Sequence, residues 1–414
     1  MQTTLEALTV AQEHHRAGRL AEANAVYRRV LEADPNQLEC LHLFGRLAAE
    51  VGRFDVAVPL MERAVALKPD FIEAQNDLGN VLFLQNRLDE AIEHYRKAIA
   101  ARPDFAEAYG NLSTALCTQH RIAEAFAAFT ELAKVTYGSR QPDFRAPEPP
   151  AHKRKHDREQ IAYWLETGIN RAAALAAGDS AARFDALFYL DGGERLARPA
   201  INPGNDPAAI ETQWDESRTK IAVVDNLLTD EALDALRHFC WGSTIWRRIY
   251  GDGYLGAMPE HGFASPLLAQ IADELRRQFP RIFRNHPLTR TWAFKCDSDH
   301  RGTRLHADFA AVNVNFWITP DDANLDPQSG GLIVWDVPAP ADWNFAQYNG
   351  DVEACHDFVR RSNAKSVTIP YRANRAVIFD SDLFHETDRV TFRQGYRNRR
   401  INVTLLYGGR NSAG

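Results

Sequence analysis

The 414-residue sequence is poor in cysteine: Cys40, Cys117, Cys240, Cys296 and Cys355 stand alone, with no CxxC pair among them. Neither a disulfide framework nor a clustered-cysteine zinc site is expected. Long apolar runs are missing as well; no stretch of about 18 apolar residues exists to cross a bilayer. The N-terminus, Met1-Gln2-Thr3-Thr4-Leu5-Glu6, lacks the basic and apolar regions of a signal peptide. Nor is there an excess of basic charge, since 48 Lys and Arg face 55 Asp and Glu for a net charge of -7. Non-specific nucleic-acid binding, which depends on neutralising phosphates, is therefore not expected. The chain is nonetheless long enough for two domains with real cores. Its expected location is the reducing cytoplasm, with no membrane or nucleic-acid partner, and its oligomeric state is open.

The N-terminal third carries a repeat. Pro35, Pro69 and Pro103 stand 34 residues apart, each marking the end of a helix with a small residue (Ala23, Ala57, Ala91, Ala125) and a large one (Tyr27, Met61, Tyr95, Phe129) at fixed offsets. Gly45 and Gly79 occupy the close-packing point of the preceding helix. This period and pattern resemble the tetratricopeptide repeat over residues 1–137, with Tyr137 in place of the fourth proline as a terminal, capping unit. The resemblance implies an all-α solenoid whose groove holds an extended peptide. Asp77 and Asn111, at equivalent positions, are expected to point into it. Dimerisation or buttressing of a second domain is the competing role.

Composition changes at Gln141–Ala151, where prolines and the run Lys153-Arg154-Lys155 indicate a boundary. A helix over 157–178, with Ile161, Trp164, Leu165, Ile169, Ala172 and Leu175 on one face, is expected to cap the stack or bridge to a C-terminal domain. Residues 138–217 thus read as a linker with a bridging helix.

The chemistry concentrates further on. His306-Ala307-Asp308 is followed downstream by His385 and then by the strand Arg400-Ile401-Asn402-Val403-Thr404-Leu405. Two imidazoles and one carboxylate are the set that holds non-haem Fe(II) on one face and leaves the other positions open. Roughly one His-x-Asp is expected by chance among 14 histidines, so its surroundings decide. Along Val312–Thr319 the residues Val312, Val314, Phe316 and Ile318 fall on one strand face, and Asn313, Asn315, Trp317 and Thr319 on the other. That second face suits the lining of a small ligand-enclosing barrel. An arginine heading the inward face of the last strand needs an anion. By strand parity Arg397 and Arg399 face away from Asn402, so Arg400 is preferred. Arg389, Arg393, Arg397 and Arg399 then read as a solvated basic edge. His300 and His356 have no such context.

Residues 218–410 resemble the 2-oxoglutarate- and Fe(II)-dependent dioxygenases through His306-x-Asp308, His385 and Arg400. The resemblance implies an α+β double-stranded β-helix of jelly-roll or cupin-like form, with His306, Asp308 and His385 as metal ligands and catalytic centre. It implies Fe(II) as cofactor and 2-oxoglutarate and O2 as co-substrates, with Arg400 meeting the far carboxylate and Asn402, Trp317 and Asn315 around it. Trp317 departs from the tyrosine that prolyl hydroxylases of the family carry there. Arg400-x-Asn402-x-Thr404 is similar to the corresponding strand of the alkylated-base demethylases, and Asp308 is the carboxylate that halogenating members lack. The function so implied is hydroxylation of a protein or peptide recruited by the repeats. A repeat scaffold with a sensing or inactive barrel, or an oxygenase acting on a small molecule, is the alternative. Around the barrel, Thr229 is expected to cap a helix, 264–279 and 351–362 to be helical, Gly330-Gly331 to turn into a buried strand, and 338–365 to form either a lid over the site or a packed surface excursion.

Overall fold

The structure is a computed structural model, and it describes residues 4–283, 285–297 and 302–410. His300 lies outside them. The chain divides into two compact units, 1–119 and 120–414.

The first unit is made of antiparallel helix pairs: Thr4–Arg16 with Leu20–Ala33, Leu38–Glu50 with Phe54–Leu67, and Ile72–Leu84 with Leu88–Ala101, followed by Ala106–Thr118. Each of Pro35, Pro69 and Pro103 sits two residues beyond a helix end, where its ring cannot disturb the helical hydrogen bonds. Ala23, Ala57 and Ala91 are fully buried. A methyl group on Gly45 would meet Met61 at 2.7 Å and one on Gly79 would meet the Tyr95 ring at 2.6 Å, so the glycine and the large residue of each repeat are matched in shape. Asp77 and Asn111 are taken up between repeats: Asp77 accepts from His42 at 2.7 Å, and Asn111 donates to Asn76 at 3.0 Å.

The second unit opens with the helix Ile122–Tyr137, so the last helix of the 34-residue pattern groups with the C-terminal part of the chain. The helix expected over 157–178 is two helices, Ala151–Thr167 and Arg171–Ala177. Gly168 (φ 78) and Asn170 (φ 42) break it in left-handed conformations that a continuing helix does not allow. Leu175 is exposed, while Trp164 is buried and donates from Nε1 to the Gly242 carbonyl at 2.8 Å. The basic run starts inside the first helix. Lys153 is buried there against Asp157, one turn on, which removes the cost of an unpaired charge.

Beyond these helices the described residues form the strands β1 (Ile221–Val224), β2 (Arg248–Ile249), β3 (Tyr254–Ala257), β4 (Leu288–Cys296), β5 (Val312–Trp317), β6 (Leu332–Pro338), β7 (Ser366–Ile369), β8 (Ala376–Asp380), β9 (Leu383–Thr387) and β10 (Arg400–Tyr407). All their pairings are antiparallel, in a seven-stranded sheet β1-β8-β5-β10-β4-β3-β2 and a three-stranded sheet β7-β6-β9. One core draws on both sheets, with Trp317, Val377 and Phe379 from the larger and Leu332, Val334 and Ile369 from the smaller. The reverse face of the larger sheet carries helices. Thr229 caps Asp230–Gly242 by accepting from Ala232 N, and Tyr407 donates to Ala272 O of Pro266–Gln278 at 2.9 Å.

Lys295, on that reverse face of β4, is an anomaly. It is 1 % exposed, its Nζ has no hydrogen-bond acceptor among the described residues, and it lies 3.5 Å from the Tyr396 ring centroid and 5.2 Å from that of Trp246. Aromatic faces return about 2 kcal/mol or somewhat more to a desolvated cation, less than an ammonium with no acceptor loses. Burial, reinforced by Arg399, accordingly holds its pKa well below the usual lysine value. The unfolded chain then binds a proton that the folded chain does not, so stability rises with pH until the unfolded lysine also deprotonates. Lys295→Met is expected to stabilise the second unit at pH 7 by about 1–3 kcal/mol, with the gain shrinking toward about pH 10, where the unfolded lysine titrates. Urea denaturation at the two pH values measures this, and a destabilised variant at pH 7 would refute it.

Candidate metal centre

Strand alternation and pairing bring the sequence motif together. Residues 303–307 run beside β9, where His306 and His385 face each other as an antiparallel bridge exchanging N–H···O bonds of 3.0 and 2.8 Å. Directly opposite residues put their side chains on the same face, and the two imidazole centroids are 4.4 Å apart. Asp308, two residues on, returns to that face, tied through its N–H to Ser381 O at 3.1 Å. Its carboxylate lies 3.7 Å from His306 Nε2 and 3.4 Å from His385 Nε2. One donor atom from each residue falls within 4.8 Å of the others.

The hydrogen bonds fix the imidazole tautomers. His306 Nδ1 lies 2.6 Å from Arg304 O and His385 Nδ1 lies 2.9 Å from Leu383 O. A carbonyl oxygen only accepts, so both Nδ1 atoms carry a proton and both Nε2 atoms face Asp308, where a protonated Nε2 donates to the carboxylate and a deprotonated one is free to ligate. Burial, helped by the neighbouring His385, pushes the His306 pKa down to about 4. Burial alone would raise Asp308, but its hydrogen bond with His385, the charges of both histidines and the Asn313 amide outweigh it and hold the carboxyl below its usual value. Two neutral imidazoles and one carboxylate are the protonation states in which these groups ligate, and the set could hold a divalent transition metal.

Asn313 is a contributor that sequence reasoning passed over. Its Nδ2 donates to Asp308 Oδ2 at 2.8 Å from the inward face of β5. No spacing rule flags such a partner; the bend of residues 309–311 between Asp308 and β5 brings it there. Asn313→Ala is expected to lower affinity for Co(II) about 10–100-fold, measured by calorimetry on apo-protein. An unchanged constant in a folded variant would remove Asn313 from the centre.

The three residues open onto a small recess, with a cavity volume of about 20 Å³, whose walls include Trp292 and Phe294 of β4, Asn315 of β5, and Arg400, Asn402 and Thr404 of β10. Register explains the company: Asn402 lies between Phe294 and Trp317, Thr404 between Trp292 and Asn315, and Arg400 opposite Cys296. Arg400 is 1 % exposed, with no carboxylate partner among the described residues. Its guanidinium donates to Gly330 O at 2.6 Å, Gly331 O at 3.2 Å and Asn402 Oδ1 at 3.0 Å. Trp317 is not part of the recess wall. It lies in the core behind Arg400, 5.8 Å from the guanidinium, and among the described residues its Nε1 has no acceptor and Asn315 Oδ1 no donor.

Arg399 does point to the other side, yet it is buried rather than solvated, paired with Glu159 at 2.8 Å and Asp297 at 3.2 Å. His356 is exposed on the helix Val352–Arg361. The segment expected as a lid contributes no residue to the recess wall. Its Tyr348, Cys355 and Val359 form a second cluster with Leu305, Ala307 and Phe384, the outward-facing neighbours of the three candidate ligands, and so pack them from behind.

The tetratricopeptide repeat family profile matches residues 42–104 and 89–139, so the chain carries tetratricopeptide repeats. Among solved structures it is similar to a MamA protein at 20% identity, over 45% of this chain and 92% of that one, with a TM-score of 0.32. A second MamA structure shares 21% identity over 43% and 92% at a TM-score of 0.30. A MamA fragment from Desulfovibrio magneticus RS-1 shares 19% over 34% and 79% at 0.32. No curated protein matches the sequence. No helix among the described residues is long and apolar enough to cross a membrane.

Proposed function

We propose that residues 218–410 form a 2-oxoglutarate- and Fe(II)-dependent dioxygenase that hydroxylates a protein or peptide recruited by the repeats. The observation that carries this reading is the convergence of His306, Asp308 and His385, with both Nδ1 atoms held by backbone carbonyls and both Nε2 atoms turned to Asp308, on a recess that also holds a buried arginine with no carboxylate partner among the described residues. The strand order supports a double-stranded β-helix: two antiparallel sheets share one core, and the ligand-bearing segment adds beside β9.

When bound, Fe(II) and 2-oxoglutarate supply an O2-dependent oxidation of a C–H bond, coupled to release of succinate and CO2. The chain's own contribution is placement. His306 and His385 offer Nε2 lone pairs, and Asp308, steadied by Asn313, offers a carboxylate oxygen. Of the five guanidinium N–H groups of Arg400, three are taken by the carbonyls of Gly330 and Gly331 and by Asn402. The Cys296 thiol is a further hydrogen-bond partner of the guanidinium, and the donor capacity left over can meet a carboxylate. Trp292 and Phe294 wall the recess and limit water. The five buried free thiols suit a reducing, cytoplasmic setting.

Anaerobic addition of Fe(II) and 2-oxoglutarate to apo-protein tests the reading directly. A weak visible metal-to-ligand charge-transfer band is expected. Its absence in folded protein would leave the second reading, a repeat scaffold, which the family match to the repeats favours.

A further inference from the structure

We infer that Arg410 is a positioning residue of the metal centre: it fastens together the segments that hold His306-Ala307-Asp308 from behind. The inference rests on the reading that His306, Asp308 and His385 bind a metal ion.

Ala307 stands between two of the three candidate ligands, and one turn holds both of its backbone groups. Its N–H donates to Tyr348 O at 2.9 Å, and its carbonyl accepts from Asn349 Nδ2 at 2.8 Å. The next residue, Asp308, donates its N–H to Ser381 O at 3.1 Å, in the turn that leads into β9 and His385. Two grips therefore set where the ligand segment lies, residues 348–349 and residues 381–385. The first of them belongs to the short helical turn Ala346–Gly350, which pairs with no strand among the described residues. Strand pairing alone does not fix its place.

Arg410 supplies what the sheets do not. Its Nε donates to Asp382 Oδ1 at 2.7 Å, its Nη1 to Trp343 O at 3.1 Å, and its Nη2 to Ala339 O at 2.5 Å and Pro340 O at 2.7 Å. Its guanidinium also lies 4.6 Å from the centroid of the Tyr348 ring. Burial pushes the Asp382 carboxyl up to about 6 and Arg410 pulls it down, so the pair is charged at neutral pH. One planar fork thus joins residues 339–343, Tyr348 and Asp382, and through the last two it reaches both grips. The course of the chain brings it there. Gly408 turns back from the end of β10 at φ 72, and a methyl group on it would meet Ala311 at 2.9 Å, in the bend that leads from Asp308 to β5. Beyond that turn the Arg410 side chain is 10% exposed. A flexible chain end has no need of a half-enclosed arginine with four acceptors; a ligand segment that must keep its geometry does.

The test is titration of Co(II) into full-length apo-protein, read by the visible ligand-field bands, for the wild type, Arg410→Gln and Asn349→Ala. Each variant is expected to bind about tenfold more weakly, with its bands displaced at saturation. Band position reports the arrangement of the donor atoms, which a general loss of stability does not move. Because both residues act through Ala307, the double variant should lose less than the product of the two single losses. Arg410→Lys keeps the charge beside Asp382 but not the fork, and should resemble Arg410→Gln. Wild-type affinity and bands in Arg410→Gln overturn the inference, and so do wild-type affinity and bands in Arg410→Lys, which would leave only a charge effect. Should Arg410→Gln not fold, Asn349→Ala decides in the same way, since it removes one grip on Ala307 and leaves Arg410 in place. If the wild type itself gives no bands, the metal reading falls and the inference with it.

Discussion

His306→Ala is expected to lower affinity for Fe(II) or Co(II) by more than about 100-fold, beyond the cost of losing a group that only hydrogen-bonds a ligand. Only His385 and Asp308 would remain, and two donors no longer define one face of a coordination sphere. The fold should survive, because the pairing of 303–307 with β9 runs through backbone atoms: His306 N to His385 O and His385 N to His306 O. In the wild type, metal at about a hundred times its dissociation constant should add about 2.7 kcal/mol to stability. In the variant that gain should vanish, while the metal-free melting temperature stays close to wild type. Thermal melts with and without Co(II) read both quantities. A variant that still gains full stabilisation from metal would place the binding site elsewhere.

Arg400→Met is expected to raise the 2-oxoglutarate concentration needed for half-formation of the charge-transfer band about 30-fold or more, with little effect on metal affinity. Removing one partner of a desolvated charge pair costs about 2–5 kcal/mol. Methionine fills much of the same volume without a charge, so the buried position stays packed. Arg400→Lys should not restore binding, because a point charge replaces a planar fork that matches a carboxylate and is oriented by two backbone carbonyls. Anaerobic titration of the band measures the shift. Half-formation at the wild-type concentration would dismiss Arg400 as the anchor. Arg399 would not replace it, since Glu159 and Asp297 already occupy that guanidinium on the other side of the sheet.

Period-two patterning made the inner face of β10 legible: Arg400, Asn402 and Thr404 face the recess, and the parity argument that set Arg399 aside agrees with its ion pairs. The 34-residue repeat was legible for a similar reason, because a strict period fixes which helix face packs. Parity gives a face but not a depth. Trp317 lies on the expected side, yet at the end of β5 it sits behind Arg400 rather than in the recess. Local partners set by how the chain turns were invisible, as Asn313 donating to Asp308 five residues earlier shows. The charged run at Lys153 marked a boundary without telling which of its side chains is buried. The signal for burial of Lys153 was Asp157 four residues on, which makes it tolerable.

The position of the three candidate ligands has a topological meaning. His306 and Asp308 precede β5, while His385 lies in β9, so β5, β6, β7 and β8 all fall between them. An ion gripped at both ends closes a loop of roughly 80 residues, and in the chain-entropy picture a cross-link of that length counts for about 4 kcal/mol against unfolding. Metal there would act as a reversible clasp across much of the sandwich. Metal supply would then govern how long the second unit resists proteolysis.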